Sequence, residues 1–331
     1  MGKLLKDLAF MDLYVRLDRP AQPRYRSPQR DKNNVWIQPL HSDYAEDVEK
    51  LAAKFRSEAD NVEVAFTYDG MRFRLAHQGM ANGETWAVLR RITPIVPKLE
   101  GLGYAPHIAN YLRNLGRRDG LVIFSGATGH GKTTTCFSLL QEYLHSYGGV
   151  GMTVEDPVEY ILEGPCGDKG YCYQIQVASG EDWATPLKRT LRWTPRYLLV
   201  GEVRSPAAAE QILRAATTGH LVLTTIHAGS IEDSLLGLLQ LAAQNLGSAA
   251  KNVLAQGLTA AIHQRLGPQG PHIRYVFTEE DNNGDPVRAL IREERVGMIN
   301  TYIERQIARM AQLSQTSGIN VPNSLKDSKA K

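Results

Sequence analysis

The segment Gly126-Ala127-Thr128-Gly129-His130-Gly131-Lys132-Thr133 constrains this chain more than any other feature. It fits the pattern GxxxxGK[ST] at every fixed position, directly after the apolar run LVIFS (121 to 125) and opening a helical stretch, Thr133 to Tyr147. A loop of this composition belongs on a strand–loop–helix unit. Glycines let consecutive backbone N–H groups curl around an anion, and the helix N-terminus adds partial positive charge. Lys132 is a mobile cation able to bridge two phosphates of a nucleotide, and the Thr133 hydroxyl is a ligand for Mg2+. Gly126, Thr128, Gly129, His130, Gly131, Lys132, Thr133 and Thr134 are therefore assigned to binding a nucleotide, with ATP and Mg2+ as the expected cofactors.

The surrounding pattern agrees with a parallel sheet. VGMTV (150 to 154), YLLV (197 to 200) and LVLTTI (221 to 226) are further short apolar runs, as in strands buried on both faces. Helical stretches separate them. Pro206 to Thr217 starts with Ser205 as a cap and proline at the first helical position, and Ser230 with Asp233 marks another start. From about residue 230 the chain reads as mainly helical to about 313, its last helix carrying Ile299, Ile303, Ile307 and Met310 on one face. The polar end, about 314 to 331, reads as a mobile tail.

Upstream the periodicity is different. Val48, Leu51, Ala52 and Phe55 recur at helical spacing. VEVAFTY (62 to 68) alternates, Asp69-Gly70 marks a tight hairpin, and Met71, Phe73 and Leu75 alternate with Arg72 and Arg74 on the return strand. TWAVLRRI (85 to 92) is a third strand. Residues 1 to 94 are thus expected to form a small α+β domain with a curved antiparallel sheet, 95 to 103 an inter-domain linker with two glycines and a Pro97 break, and 104 to 331 the second domain. The stretch from 17 to 33, rich in Pro and Arg, reads as an exposed loop whose Arg19, Arg24, Arg26, Arg30 and Lys32 join Arg16 in a solvated basic cluster.

Hydrolysis of a bound nucleotide needs a carboxylate near water, a second oxygen for Mg2+ and positive charge for the γ-phosphate. Glu155-Asp156-Pro157-Val158-Glu159 places three carboxylates in five residues where the second strand ends. Gly201-Glu202-Val203-Arg204 follows the third strand, an apolar run ending in an acid. His220 and His227 flank the fourth, and the pair reads as sensing the γ-phosphate.

Bulk properties narrow the class. With 43% hydrophobic and 22% charged residues the composition is that of an ordinary globular protein, and a net charge of +3 gives no push toward nucleic acid or an anionic membrane. No signal peptide or spanning apolar segment is visible. Cys136, Cys166 and Cys172 are too few for a disulfide framework, and Cys166 with Cys172 lacks the partners of a structural zinc site.

Taken in order and spacing, GATGHGKTT, TVEDPVEY, LLVGEVR and TGHLVLTTIHA resemble the Walker A, aspartate box, atypical Walker B and histidine box of the secretion and type IV pilus ATPases. That family includes type II secretion, pilus retraction and extension, Dot/Icm-type and conjugative ATPases. RFR (72 to 74) and AVLRRI (87 to 92) resemble its N-terminal arginine segments, and HQRL (263 to 266) and ALIREERVGMI (289 to 299) its C-terminal helices. The resemblance runs from about Met11 to about Ile299. It implies an α/β RecA-like P-loop core with a small PAS-like N-terminal α+β domain, and a Mg-ATP-driven homo-hexameric motor. Such a motor is cytoplasmic and peripheral on the inner membrane, against a secretion or pilus platform protein, with no nucleic acid as partner. It implies that Glu159 activates water, that Glu202 serves Mg2+ directly or through water, that His227 belongs to the catalytic set, and that Arg74 and Arg90 stabilise charge, with Arg91 in reserve. The chain departs from the family at Arg192-Trp193-Thr194-Pro195-Arg196 and at Val203-Arg204-Ser205, each of which removes an acid, and it lacks the four-cysteine zinc motif. A nucleic-acid-translocating motor and a nucleotide-gated scaffold with little turnover are the alternatives. The first demands a basic, aromatic-interleaved path, and the second a damaged catalytic set.

Overall fold

The computed structural model describes residues 2–17, 22–27, 35–58, 63–92, 95–178, 180–267, 270–278 and 284–316. The chain divides into two units, Met1–Ile95 with Pro157–Ile161, and Val96–Asp156 with Leu162–Lys331.

In the first unit, strands β1 (Asp12–Arg16), β2 (Arg24–Arg26) and β3 (Ile37–Pro39) precede helix α1 (Ala45–Glu58), and β4 (Glu63–Tyr68), β5 (Met71–Gly79) and β6 (Thr85–Ile92) follow it. They form one antiparallel sheet in the order β3-β2-β1-β6-β5-β4. The β4–β5 hairpin closes through Asp69 and Gly70, both at positive φ (44° and 75°), as a two-residue turn with the right twist requires. Alternation then sends Met71, Phe73 and Leu75 to the core, where they meet Leu13, Val15, Leu89 and the α1 residues Val48, Leu51, Ala52 and Phe55. Each such side chain contributes about 1.5–3 kcal/mol by leaving water, so the helix is held by its apolar stripe.

The structure adds three strands that hydropathy did not mark. Arg24–Arg26, expected in a loop, is a strand paired with β1. Three residues of RYR carry no readable period, and only the neighbouring strand makes them extended. Arg19, Arg30 and Lys32 lie outside the described residues, as does Val62.

In the second unit, α2 (Pro106–Asn114), β7 (Gly120–Ser125), α3 (Lys132–Tyr147), β8 (Gly149–Glu155), β9 (Gly164–Cys166), β10 (Gly170–Gln176), α4 (Ala184–Leu191), β11 (Tyr197–Val200), α5 (Pro206–Ala216), β12 (Leu221–Ile226), α6 (Ile231–Leu246), α7 (Ala250–Gly257), β13 (Leu258–Gly267), β14 (Gly270–Phe277), α8 (Pro286–Arg292) and α9 (Asn300–Thr316) follow in turn. The sheet order is β14-β13-β7-β12-β11-β8-β10-β9. Its six inner strands are parallel, and β14 and β9 run antiparallel at the edges. β7 and β11 are buried throughout, as strands covered on both faces must be. The caps form as their residues dictate: Ser205 Oγ accepts from the Ala208 N–H at 3.2 Å and Ser230 Oγ from the Asp233 N–H at 3.0 Å.

Two expectations are corrected here. The segment from Val96 is not a free linker, because Val96 and Leu99 are buried in the second unit and the Ser138 hydroxyl donates to the Pro97 carbonyl at 2.6 Å. Its apolar residues outweigh its turn formers. The stretch from 230 is not helical throughout either. Leu258–Gly267, which contains HQRL, and Gly270–Phe277 are strands. A short apolar run such as LTAAI has no period that separates a buried strand from a buried helix, and the free edge of β7 settles it. The α9 face is as expected at Ile303, which is buried, and Ile307, packed against the same core, and Ile299 is buried in the turn just before the helix. Residues 317–331 lie outside the described residues. Among the described residues no helix is long and apolar enough to cross a membrane.

Candidate nucleotide site

Parallel strands bring their carboxyl ends to one edge of the sheet, and ligands of open α/β sheets bind there. Here that edge gathers Gly126 after β7, His227 after β12, Gly201-Glu202 after β11, Glu155 at the end of β8, and the last residues of β13. Ser125 is opposite Ile226 on one side and His263 on the other.

The loop after β7 is built on three glycines at positive φ: Gly126 at 145°, Gly129 at 80° and Gly131 at 75°. At Gly126 the backbone also runs against its neighbour, since a Cβ there would lie 2.3 Å from the Gln264 carbonyl oxygen. Gly131 is the residue before α3, so the loop delivers its N–H groups directly to a helix N-terminus. Lys132 is buried and its ammonium donates to the carbonyls of Gly126 and Ala127 at 2.9 and 3.0 Å. Thr133 and Thr134 are half-buried in the first turn of α3, whereas Thr128 and Gly129 are exposed at the loop's tip. His130 is tied to β13: its Nδ1 accepts from the Leu266 N–H at 2.8 Å and its carbonyl from Gln264 Nε2 at 2.7 Å.

The carboxylates separate into different roles. Glu155 is buried, and its Oε1 accepts from the Thr153 hydroxyl at 2.5 Å and from Gln174 Nε2 at 3.1 Å. Asp156 stands 3.8 Å from Arg204. Glu159 falls in Pro157–Ile161, the short segment grouped with the first unit. Glu202 is the acid at the sheet edge: Oε1 takes the Arg204 guanidinium, and Oε2 stands 3.4 Å from His227 Nε2. The Thr225 hydroxyl donates to the Gly201 carbonyl at 2.6 Å, tying the ends of β11 and β12 together.

The two histidines part company. His227 lies at the site, but His220 precedes a six-residue strand and sits about 20 Å away at the opposite edge, given about 3.3 Å per residue. There its Nδ1 engages the Pro195 carbonyl, so the structure does not bring His220 to the edge where His227 stands, and the expectation that the two act as a pair is corrected.

A cleft of about 610 Å³ opens beside the loop. Gly126 to Thr128 and His130 form one wall, His227 to Gly229 a second, and His263 and Arg265 a third. His263 contacts the Ser125 hydroxyl at 3.2 Å, and its pKa is pushed below the ordinary imidazole value, first by burial and then by the charges of Arg265 and its neighbours. The sequence alone gives His263, Gln264 and Arg265 no role, because HQRL resembles a helical segment of the family. The strand-like run LTAAI before it was the available signal.

In the first unit, Arg74 and Arg90 are directly opposite on β5 and β6. Asp12, almost fully buried, accepts from Arg90 Nε at 2.8 Å and from Arg26 at 3.3 Å. The Arg90 pKa is raised, chiefly by that hydrogen bond, with Glu159 adding a weaker pull. Arg91 belongs to the other face, where it donates to the Leu8 carbonyl at 3.0 Å and lies over the Phe10 ring, so the structure does not group it with Arg74 and Arg90.

The donor set suits a magnesium nucleotide: a loop of three positive-φ glycines at a helix N-terminus, a lysine at its base, and hydroxyl and carboxylate oxygens from Thr133 and Glu202. Among the described residues no group of three or more His, Cys, Asp and Glu forms a metal cage. Mg2+ carried by phosphates uses only one or two protein oxygens.

The family model described as Type II/IV secretion system protein matches residues 52–314. A Twitching motility protein of Neisseria gonorrhoeae is 30% identical over 249 residues, 74% of this chain and 65% of that protein. Type II secretion system protein HxcR of Pseudomonas aeruginosa is 37% identical over 180 residues, 52% of this chain and 37% of that protein. The chain thus spans less than two-thirds of the length of either relative. Among solved structures, the pilus retraction motor PilT with bound ADP aligns at a TM-score of 0.72 and 26% identity, covering 97% of this chain and 94% of that one. The Legionella pneumophila ATPase DotB aligns at 0.70 and 18% identity over 97% and 92%, a likeness of fold.

Proposed function

Because this chain belongs to the Type II/IV secretion system protein family, we propose that it is a Mg-ATP-hydrolysing motor subunit of a bacterial secretion, conjugative-transfer or type IV pilus machine. The observation that carries this reading is the glycine loop opening α3 at the same sheet edge as the Glu202–His227 pair.

The roles follow from chemistry. Lys132 leaves its own loop carbonyls for the β- and γ-phosphate oxygens, a charge-assisted exchange that favours the nucleotide. Thr133 and Glu202 would hold Mg2+, which when bound would supply positive charge against the phosphates. His227, already against Glu202, reports whether a γ-phosphate is present by exchanging that contact for a phosphate oxygen. Glu159 orients the attacking water, and Arg74 and Arg90 stabilise negative charge on the nucleotide. The resemblance to hexameric secretion ATPases supports a ring of six copies, docked on the cytoplasmic face of an inner-membrane platform protein and without nucleic acid as substrate.

Phosphate release from Mg-ATP by the purified chain tests the reading, with Lys132→Ala and Glu159→Gln alongside. Turnover abolished by both supports the motor and gives Glu159 its role. Turnover surviving Glu159→Gln moves that role to Glu202. Tight ATP binding without release at ring-forming concentrations replaces the motor with a gated scaffold, and salt-dependent DNA binding points to the nucleic-acid motor.

A further inference from the structure

Gln264 is buried where the nucleotide loop meets β13, and every polar atom of its side chain is engaged. Its Nε2 donates to the His130 carbonyl at 2.7 Å, and its Oε1 accepts from the hydroxyls of Tyr104 at 2.5 Å and Thr135 at 3.1 Å. Those two hydroxyls are 2.9 Å apart, and all three residues are buried. Rotating the amide by half a turn would point its oxygen at the His130 carbonyl and its NH2 at the hydroxyls, so the network admits one orientation. Burial raises the Tyr104 pKa further above its ordinary value, which keeps the phenol a donor at any working pH.

The consequence lies in the peptide between His130 and Gly131. A trans peptide is planar, with its C=O and N–H pointing in opposite directions. With the His130 carbonyl drawn toward Gln264, the Gly131 N–H faces away from Gln264. His130 is tied to β13 through its ring as well, but the bond from Gln264 is the one that falls on this peptide's own carbonyl. Gly131 sits at φ 75° without a side chain, and glycine tolerates the rotation that would turn the peptide over. A flipped peptide would present a carbonyl oxygen to an anion.

We propose that Gln264, held by Tyr104 and Thr135, is a positioning residue that locks the His130–Gly131 peptide and so aims the Gly131 N–H at the nucleotide's phosphates. The inference rests on the reading of this loop as a nucleotide site. It acts on phosphate binding in the ground and transition states alike, so it governs affinity rather than the chemical step.

The test uses the full chain with ADP titrated calorimetrically and Mg-ATP turnover measured beside it. Gln264→Met keeps length and removes the amide; ADP affinity is expected to fall about tenfold, the scale of one lost hydrogen bond to a buried carbonyl. KM for ATP should rise by a similar factor with kcat within about twofold, the signature of uniform binding. The double variant Tyr104→Phe with Thr135→Val leaves Gln264 in place but frees its amide to turn, and the same loss of ADP affinity is expected. A Gln264→Met protein that melts earlier but binds ADP as the wild type does, below its melting range, would reduce the residue to a strut and overturn the proposal. If Gln264→Met does not fold, unchanged ADP affinity in the double variant overturns it equally. Failure of the wild type itself to bind ADP would instead remove the nucleotide reading, and this inference with it.

Discussion

Replacing Gly126 by alanine should damage this protein far more than the same change at Gly129, although both residues belong to one loop at positive φ. At Gly129 (φ 80°) a new Cβ meets nothing within 4 Å, so the cost is the left-handed conformation alone, about 1–2 kcal/mol for a residue with a side chain. At Gly126 (φ 145°) the conformation is as hostile, and the Cβ would stand 2.3 Å from the Gln264 carbonyl oxygen and 3.4 Å from its carbon. That obstacle is backbone of β13, paired on both sides, and cannot swing away as a flexible side chain would. Overpacking against a fixed element costs about 1–3 kcal/mol more, for a total of about 2–5 kcal/mol. In a unit of this size each kcal/mol moves the midpoint by about 2–4 °C. Scanning calorimetry without nucleotide is therefore expected to show Gly126→Ala melting about 4–20 °C below the wild type, and Gly129→Ala about 2–8 °C below, with Gly126→Ala the lower of the two. Equal shifts, or a Gly126→Ala protein melting like the wild type, would refute the close approach of β13 to the loop on which the site and the Gln264 argument depend.

Two further outcomes are expected. His263 has a lowered pKa in the folded state, so below its unfolded value of about 6.5 the unfolded chain holds more protons and stability falls as pH falls; His263→Gln should flatten the loss of melting temperature between pH 7.5 and 5.5, and an unchanged slope would show that this imidazole is not the group responsible. Arg90→Ala should depress Mg-ATP turnover, whereas Arg91→Ala should lower the melting temperature through the lost Leu8 and Phe10 contacts and leave turnover near normal. The reverse pattern would exchange their roles.

What the sequence determined about this protein is whatever local chemistry forces. GxxxxGK[ST] between an apolar run and a helix admits one arrangement, Asp69-Gly70 one kind of turn, and Ser205-Pro206 one helix start, because each depends on backbone conformation within a few residues. The four parallel strands carrying the motifs were legible for the same reason: buried strands are continuous apolar runs. What tertiary structure alone decided is everything that depends on a neighbour distant in the chain. Arg24–Arg26 is a strand because β1 lies beside it, and LTAAIHQRL is a strand rather than a helix because β7 offers an open edge. His220 and His227 look equivalent on either side of one strand, yet the length of that strand sends them to opposite edges of the sheet. Gln264 is separated by 134 residues from the carbonyl it holds, and no periodicity records a contact of that span. Side-chain patterns encode which face is buried; they do not encode what it is buried against.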